Sequence, residues 1–415
     1  MKCVHVIGAG LAGLAAATAL AAKGVRVELH EAAPQAGGRC RSYFDPVLGQ
    51  TIDNGNHLIL SGNRATYGYL RRIGAEHALA GPARARFAFA DVRSGERWTI
   101  APNDGPLPWW TLSRKRRVPQ TSLRDYAGLL GLLWPGRGKR ICEVLRCDGA
   151  LWERLMRPFL LAALNTEPET ASAALAAAVV RETMAKGGQS YRPRIAHPTL
   201  AATFVDPALG FLAKKDVQVH FGARLRRILY DGVRATGLDF GERTLTLAEG
   251  DGVVLAVPPW VAADLVPELV VPERFRAIVN AHFRVAPPPD APLMLGVIGG
   301  TAEWIFSFPD RVSVTVSGAD RIVDRERESL AETLWQDVAA ALGLPEALPP
   351  WQIVKEKRAT FAATPEQDAR RPKAETRWRN LALAGDWTAT GLPATLEGAV
   401  RSGHKAAEIA YSRTR

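Results

Sequence analysis

The chain has 415 residues, 53 Lys and Arg against 42 Asp and Glu, a formal charge of +11, and 47% hydrophobic residues. That is enough apolar material for a sizeable core, and the length points to two or three domains, or to one nucleotide domain with large insertions. The basic surplus fits nucleic acid, an anionic membrane surface or an acidic ligand, but no zinc-finger or RNA-binding signature accompanies it, so nucleic acid is the weakest of the three.

The first elements are dense. Residues 3–7, CVHVI, read as a short buried strand. GAGLAGL follows, then an Ala-rich helix to about Lys23 and a second strand over 25–31. The N-terminus has the Lys and the apolar, small-residue run of a signal peptide, but glycines break that run at regular spacing and a strand continues beyond it. It reads as the start of the fold. Gly8-x-Gly10-x-x-Gly13 after a strand is a dinucleotide fingerprint, which Leu11 and Ala12 complete. The first glycine permits a tight turn, the second lets backbone approach a pyrophosphate, and the third lets helix and strand pack closely. The helix N-terminus offers its free N–H groups to phosphate. Glu31, followed by Ala32, stands where an acid accepts ribose hydroxyls. The plain alternative is a packing turn with a solvated Glu31.

GGRCRS at 37–42 is a glycine-arginine loop. DNGNHLILSGN, 53–63, packs Asp, Asn and His around an apolar run, more polarity than an ordinary buried strand needs. A helix over 62–75 ends at Gly74. Residues 82–118 read as strand-rich with a hairpin at Ser94-Gly95, and 122–187 as helical. Residues 216–232 return to strands. Residues 245–266 read strand, turn, strand, Pro-Pro, helix. Strands are expected over 276–320, a helix over 329–343, then the strand NLALAGD and a long helix from about Pro393. The only low-complexity patch is PPPDAP at 287–292. No run of about 18 unbroken apolar residues occurs, so no transmembrane helix is expected. Cys3, Cys40, Cys142 and Cys147 contain no C-x-x-C pair, which suits reduced thiols and a cytoplasmic setting. Cys40 reads as a buried filler rather than a covalent cofactor link or redox thiol. The histidines show no ligand spacing, so no metal is expected.

The glycine fingerprint alone does not separate NAD from FAD. Gly37-Gly38-Arg39 and the C-terminal LAGDWTATGLPATLEGAVRSG resemble the flavin-binding motifs of the amine oxidase and phytoene desaturase superfamily. DNGNHLILSGN together with that C-terminal block resembles, more narrowly, the squalene-associated FAD-dependent enzymes, the hydroxysqualene dehydroxylases of hopanoid synthesis. The resemblance implies an α/β fold, a Rossmann-type FAD-binding domain (1–75, 200–268 and 375–415) with an inserted α+β substrate-binding domain (76–199 and 269–374). It implies FAD near Gly38 and Arg39, adenine contacts from the backbone at Val219, Gly385-Asp386 at the ribityl chain, and Thr395, Leu396 and Ala399 facing the ring. A helix N-terminus there stabilises negative charge on a reduced flavin.

The implied reaction turns hydroxysqualene into squalene, with hydride from reduced flavin N5 to an allylic carbon and loss of water. Hydroxide leaves poorly, so an acid should assist, typically by about 10²–10⁴-fold. His57, with an ordinary pKa of about 6.5, is the first choice and Asp53 the second, if burial raises its pKa. Asn54 and Asn56 would orient the hydroxyl or a water. Against this stands a bland reading in which these residues only satisfy backbone groups. Trp387 would line the substrate cavity or, more simply, pack in the core. Two rivals remain: a carotenoid-type desaturase using oxidised FAD, and a non-catalytic isoprenoid-binding flavin fold. An amine oxidase is disfavoured, since nothing marks an aromatic cage.

A polyprenoid substrate resides in a bilayer. Residues 107–140 place Trp109, Trp110 and Trp134, and Leu129, Leu130, Leu132 and Leu133, beside Arg114–Arg117, Arg137, Lys139 and Arg140. That mixture suits monotopic contact with anionic lipid on the inner face of the cytoplasmic membrane, the alternative being a buried helix with solvated basic loops. With one dinucleotide fingerprint, electrons are expected from an external reductant or reductase.

Overall fold

The structure is a computed structural model and describes residues 2–413. Its centre is a five-stranded parallel sheet in the order Gln218–His220, Arg26–His30, Cys3–Ile7, Gly252–Leu255, Leu381–Leu383. Near-continuous apolar strands such as GVVL and LAL are what a sheet covered on both faces requires. The helices Leu11–Ala22 and Leu396–Arg413 cover one face. Their small residues let the backbones meet: a Cβ on Gly403 would stand 2.2 Å from the Ala12 carbonyl oxygen. The other face lies under the antiparallel strands Arg227–Tyr230, Ala235–Asp239 and Thr244–Thr246.

A second, seven-stranded sheet runs Trp351–Phe361, Phe275–Phe283, Arg311–Val316, Trp304–Phe308, Met294–Ile298, Phe87–Asp91, Arg97–Ile100, antiparallel except between Met294–Ile298 and Phe87–Asp91. The period-two alternation of its central strands decides what each face does. Val279, Ala281, Phe283, Val312, Val314 and Val316 pack with Leu330, Leu334 and Trp335 of the helix Arg327–Leu342. The alternating positions Asn280, His282, Ser313 and Thr315 are buried and polar, and they face the segment 53–57 through hydrogen bonds. The five-stranded sheet draws its strands from 1–75, 200–268 and 375–415, the seven-stranded one from 76–199 and 269–374.

Two local expectations fail. Residues 101–118 form no strand; Pro102, Pro106 and Pro108 remove ladder donors, and only the 3-10 turn Trp109–Leu112 is regular. Residues 122–187 are helical as expected, in the stretches 123–133, 149–164 and 173–186. Cys142 and Cys147 form a disulfide across the short turn Ile141–Glu143, with Cα atoms 5.6 Å apart, so the chain does not carry four free thiols. That spacing lies outside the C-x-x-C pattern. Cys3 and Cys40 are free and buried. Among the described residues no helix is long and apolar enough to cross a membrane.

Candidate cofactor and active site

The glycine turn has the form its sequence implies. Gly8 adopts φ +102° and a Cβ there would stand 2.4 Å from the Ala256 carbonyl oxygen; on Gly13 it would stand 1.8 Å from that of Gly8. On Gly10 it would meet nothing within 4 Å, so this position faces open space at the head of the Leu11–Ala22 helix. Ala12 is buried within that helix beside Leu11. Glu31 accepts hydrogen bonds from the Ala9 and Ala33 N–H groups at 2.7 and 2.8 Å, which ties the acid to the turn. Ala32 beside it is exposed, and Val219 lies on the neighbouring edge strand, paired to Leu29.

The glycine-arginine loop sits against this turn: Gly37 donates to the Ala9 carbonyl at 2.9 Å, and Gly38 holds φ +56° beside Gly10. Arg39 then reaches across the molecule to the Asp386 carboxylate at 2.7 Å and to the Ala359 carbonyl. Two motifs 347 residues apart thus meet in one charge-assisted pair. Gly385 takes φ +152° with its N–H on the Ser402 hydroxyl at 2.8 Å, which seats the turn on the last helix. Thr395 caps that helix, accepting from the Gly398 N–H at 3.1 Å, with Leu396 half-buried and Ala399 buried one turn on.

Two residues absent from the sequence reading fasten this seam. Buried Arg371 pairs with Asp368 at 2.9 Å and donates to the Asp386 and Thr388 carbonyls and the Thr390 hydroxyl. Buried Glu397 accepts from the Ala65 and Thr66 N–H groups, the Thr66 hydroxyl and Arg401. Neither stands in a local motif; a charged residue inside the C-terminal block was the only available signal for Glu397.

The polar stretch divides. Asp53 is buried and committed: its carboxylate accepts from the Ser42 hydroxyl at 2.5 Å and the Leu200 N–H at 2.8 Å, with Arg311 3.9 Å away. Burial raises its pKa overall, with these donors and Arg311 opposing the rise, and the same contacts make its carboxylate a structural joint. Its carbonyl takes the His282 Nε2–H at 2.9 Å, and burial holds that imidazole neutral, its pKa pushed down to about 3. Asn54 is buried, its amide 3.5 Å from Glu356 and its carbonyl accepting from Asn280. Asn56 donates to the Thr315 hydroxyl at 3.2 Å and leaves its buried Oδ1 without a partner. His57 is half-buried and has no hydrogen bond in the described chain. Burial, reinforced by Arg39 and only partly offset by Asp386, drives its pKa down to about 4, which overturns the expectation of an imidazole titrating near neutrality.

Comparison with known proteins meets this geometry directly. Residues 11–410 match the model of the flavin containing amine oxidoreductases. The chain belongs to that family. Hydroxysqualene dehydroxylases of Rhodopseudomonas palustris and Zymomonas mobilis are 54% and 48% identical to it, each over 100% of this chain and at least 99% of their own length. Cyclohexylamine oxidase from Brevibacterium oxydans shares the fold, with a TM-score of 0.75, 16% identity and full coverage of both chains.

As in other members of this flavoprotein family, the cofactor is FAD, and the residues present fit it. The open face at Gly10, the free helix N-terminus and Glu31 suit the adenosine diphosphate half. Trp387 is buried, its indole N–H donates to the Val257 carbonyl at 3.0 Å, and its ring lies against Gly385, contacts that agree with the simpler packing reading.

Proposed function

We propose that the chain performs FAD-dependent reductive dehydroxylation of hydroxysqualene to squalene, within hopanoid or triterpenoid synthesis. The full-length identity to curated hydroxysqualene dehydroxylases carries this reading. In balance, the allylic C–O bond breaks, a C–H bond forms, and two electrons and two protons convert the hydroxyl to water. FAD, once reduced, supplies the hydride equivalent. The electrons reach it from an external reductant, since the chain carries one dinucleotide fingerprint.

The chain's own residues supply binding, orientation and proton control. Arg39 and Asp386 hold the glycine-arginine loop to the C-terminal turn. His57 lies in their field as a neutral imidazole, so it offers an N–H to the leaving oxygen and does not wait as a preformed imidazolium. The unpartnered Oδ1 of Asn56 supports a role for it as acceptor of the substrate hydroxyl. Asp53 and Asn54 hold that pair in register with the seven-stranded sheet.

For access to a bilayer substrate we propose the segment 107–134. Leu107, Trp109, Leu112, Leu123, Leu130 and Trp134 are all exposed, Trp109 at 63% and Trp134 at 79%. Exposed Arg114, Lys115, Arg124, Arg137, Lys139 and Arg140 surround them. Apolar knobs inside a basic collar favour the headgroup layer of an anionic membrane. Trp110 and Leu132 are buried, and Leu129 and Leu133 half-buried, so the contact set differs from the one the sequence suggested. Incubating the reduced protein with hydroxysqualene and resolving products by mass spectrometry tests the activity. Squalene supports it; unchanged hydroxysqualene with full flavin occupancy contradicts it.

A further inference from the structure

The parallel sheet gathers a second chemical cluster on the strands that lead into the glycine turn. Its donors come from three adjacent strands: His5 on Cys3–Ile7, Glu28 and His30 on Arg26–His30, and His220 on Gln218–His220. Register places His5 opposite Glu28 and His220 opposite His30, so all four side chains share one face. On that face Phe240 lies over the His30 ring at 4.9 Å, and His220 stacks on it at 4.8 Å.

The donor atoms converge on one carboxylate oxygen. Glu28 Oε2 is 3.6 Å from His5 Nδ1, 4.0 Å from His30 Nε2 and 3.9 Å from His220 Nε2. His5 Nδ1 and His30 Nε2 are 3.4 Å apart. Ligands around a tetrahedral ion with bonds of about 2.0–2.1 Å stand roughly 3.3–3.5 Å from one another; the donor atoms of His5, Glu28 and His30 all lie within 4.8 Å of one another, and His220, stacked on His30, completes the set by turning its ring inward. His5 and His30 are almost fully buried and His220 is partly open, which gives a protected site with an entry side. The buried Nε2 of His220 and Nδ1 of His30 have no hydrogen-bond partner.

Neighbouring charges leave the set free to act. Arg26 occupies the other Glu28 oxygen, Oε1, at 3.1 Å. The Asp251 carboxylate is taken by the Cys3 and Ala248 N–H groups, both at 2.8 Å. Arg243 lies over the outer Phe240 ring. Burial keeps His5 and His30 neutral, the form whose nitrogen lone pairs bind metal.

We propose that His5, Glu28, His30 and His220 form a binding site for a divalent transition-metal ion of the zinc type. Three imidazoles and one carboxylate match the borderline-soft character of such ions and suit calcium or magnesium poorly. The four ligands close the coordination shell, so the ion acts as a structural clamp. The clamp ties three strands together beside the cofactor turn, since the His30 carbonyl accepts from Gly8 N–H at 2.7 Å and the His220 carbonyl from Glu31 N–H at 2.8 Å. The sequence hid this set because its members lie on separate strands without a local spacing motif.

The test uses the flavin-loaded full chain, stripped with a chelator and dialysed against zinc chloride without thiols. Zinc is counted by mass spectrometry and its affinity read by competition with a chromophoric chelator. About one zinc per chain is expected, with affinity lowered at least ~10-fold in Glu28→Gln and in His220→Ala. These two ligands are the least buried of the four, and circular dichroism and flavin absorbance check that both variants fold. Zinc should raise the melting temperature of the parent and not of either variant. Absence of zinc above background, or equal affinity in the folded Glu28→Gln/His220→Ala double variant, overturns the site. Neither result bears on the flavin reaction.

Discussion

Two regions of this molecule treat their polar and apolar groups in opposite ways. At the seam between Gly37–Arg39 and Gly385–Thr390, charges and carbonyls are met inside the chain: Arg39 on Asp386, Arg371 on Asp368 and two carbonyls, Glu397 on the start of the Arg64–Ile73 helix. In the segment 107–134 large apolar side chains face outward, and the arginines around them have few partners. A region that meets its polar groups internally is built to hold a shape. A region that leaves aromatic and aliphatic surface exposed beside basic side chains is open to contact with another surface. The two regions should therefore respond differently to substitution.

The largest effect is expected at Arg371. Arg371→Met leaves Asp368 and the Asp386 and Thr388 carbonyls without their buried donor, and removal of one partner from such a network costs about 3–5 kcal/mol. Urea denaturation should register that loss together with release of flavin; retained stability and colour would break the contrast. Arg39→Ala comes next. Its guanidinium is partly exposed, so the expected result is a folded protein whose flavin affinity falls about tenfold or more, read by fluorescence of released FAD.

The outward-facing region should behave in the reverse manner. Leu130→Ser with Trp134→Ser should leave stability within about 0.5 kcal/mol, because neither side chain is packed, while abolishing flotation with anionic liposomes. Undiminished flotation would remove the membrane reading of this segment. The smallest effect concerns pH. His404 sits 2.9 Å from Arg72, and burial first, then Arg72 and Lys23, lower its pKa from the ordinary 6.5 to about 4. Between those values the unfolded chain binds more protons than the folded one, so stability falls as pH falls through this window. His404→Gln should flatten the melting temperature between pH 6.5 and 4; an unchanged slope would assign the acid sensitivity elsewhere.

The contrast also explains what the sequence could disclose. The glycine turn, the Gly37-Gly38-Arg39 loop and the Gly385-Asp386 turn were legible because glycine is itself a signature, of a positive φ at Gly8 and of close backbone approach at Gly13. The strand order of the two sheets, the Arg39–Asp386 pair and the His5–Glu28–His30–His220 cluster were not, since they join residues from distant parts of the chain. The stretch DNGNHLILSGN is legible as unusual, but what its polar groups touch is not. Its Asp53 and Asn54 serve the joint with the polar face of the Phe275–Phe283 and Arg311–Val316 strands, which sequence alone does not place beside them. Burial then moved His57 away from the titration range that had recommended it. The exposed leucines differ from those first chosen because prolines and 3-10 turns, not a regular helix, set which side chains face out.

The central claim concerns the direction of electron flow. The decisive measurement is an anaerobic titration of the reduced, flavin-loaded protein with hydroxysqualene, following flavin absorbance and squalene in the same sample. The account predicts reoxidation of the flavin with one squalene formed per flavin oxidised. A flavin that stays reduced under hydroxysqualene, while the oxidised protein is bleached by a saturated polyprenoid, would contradict it and establish a desaturase instead.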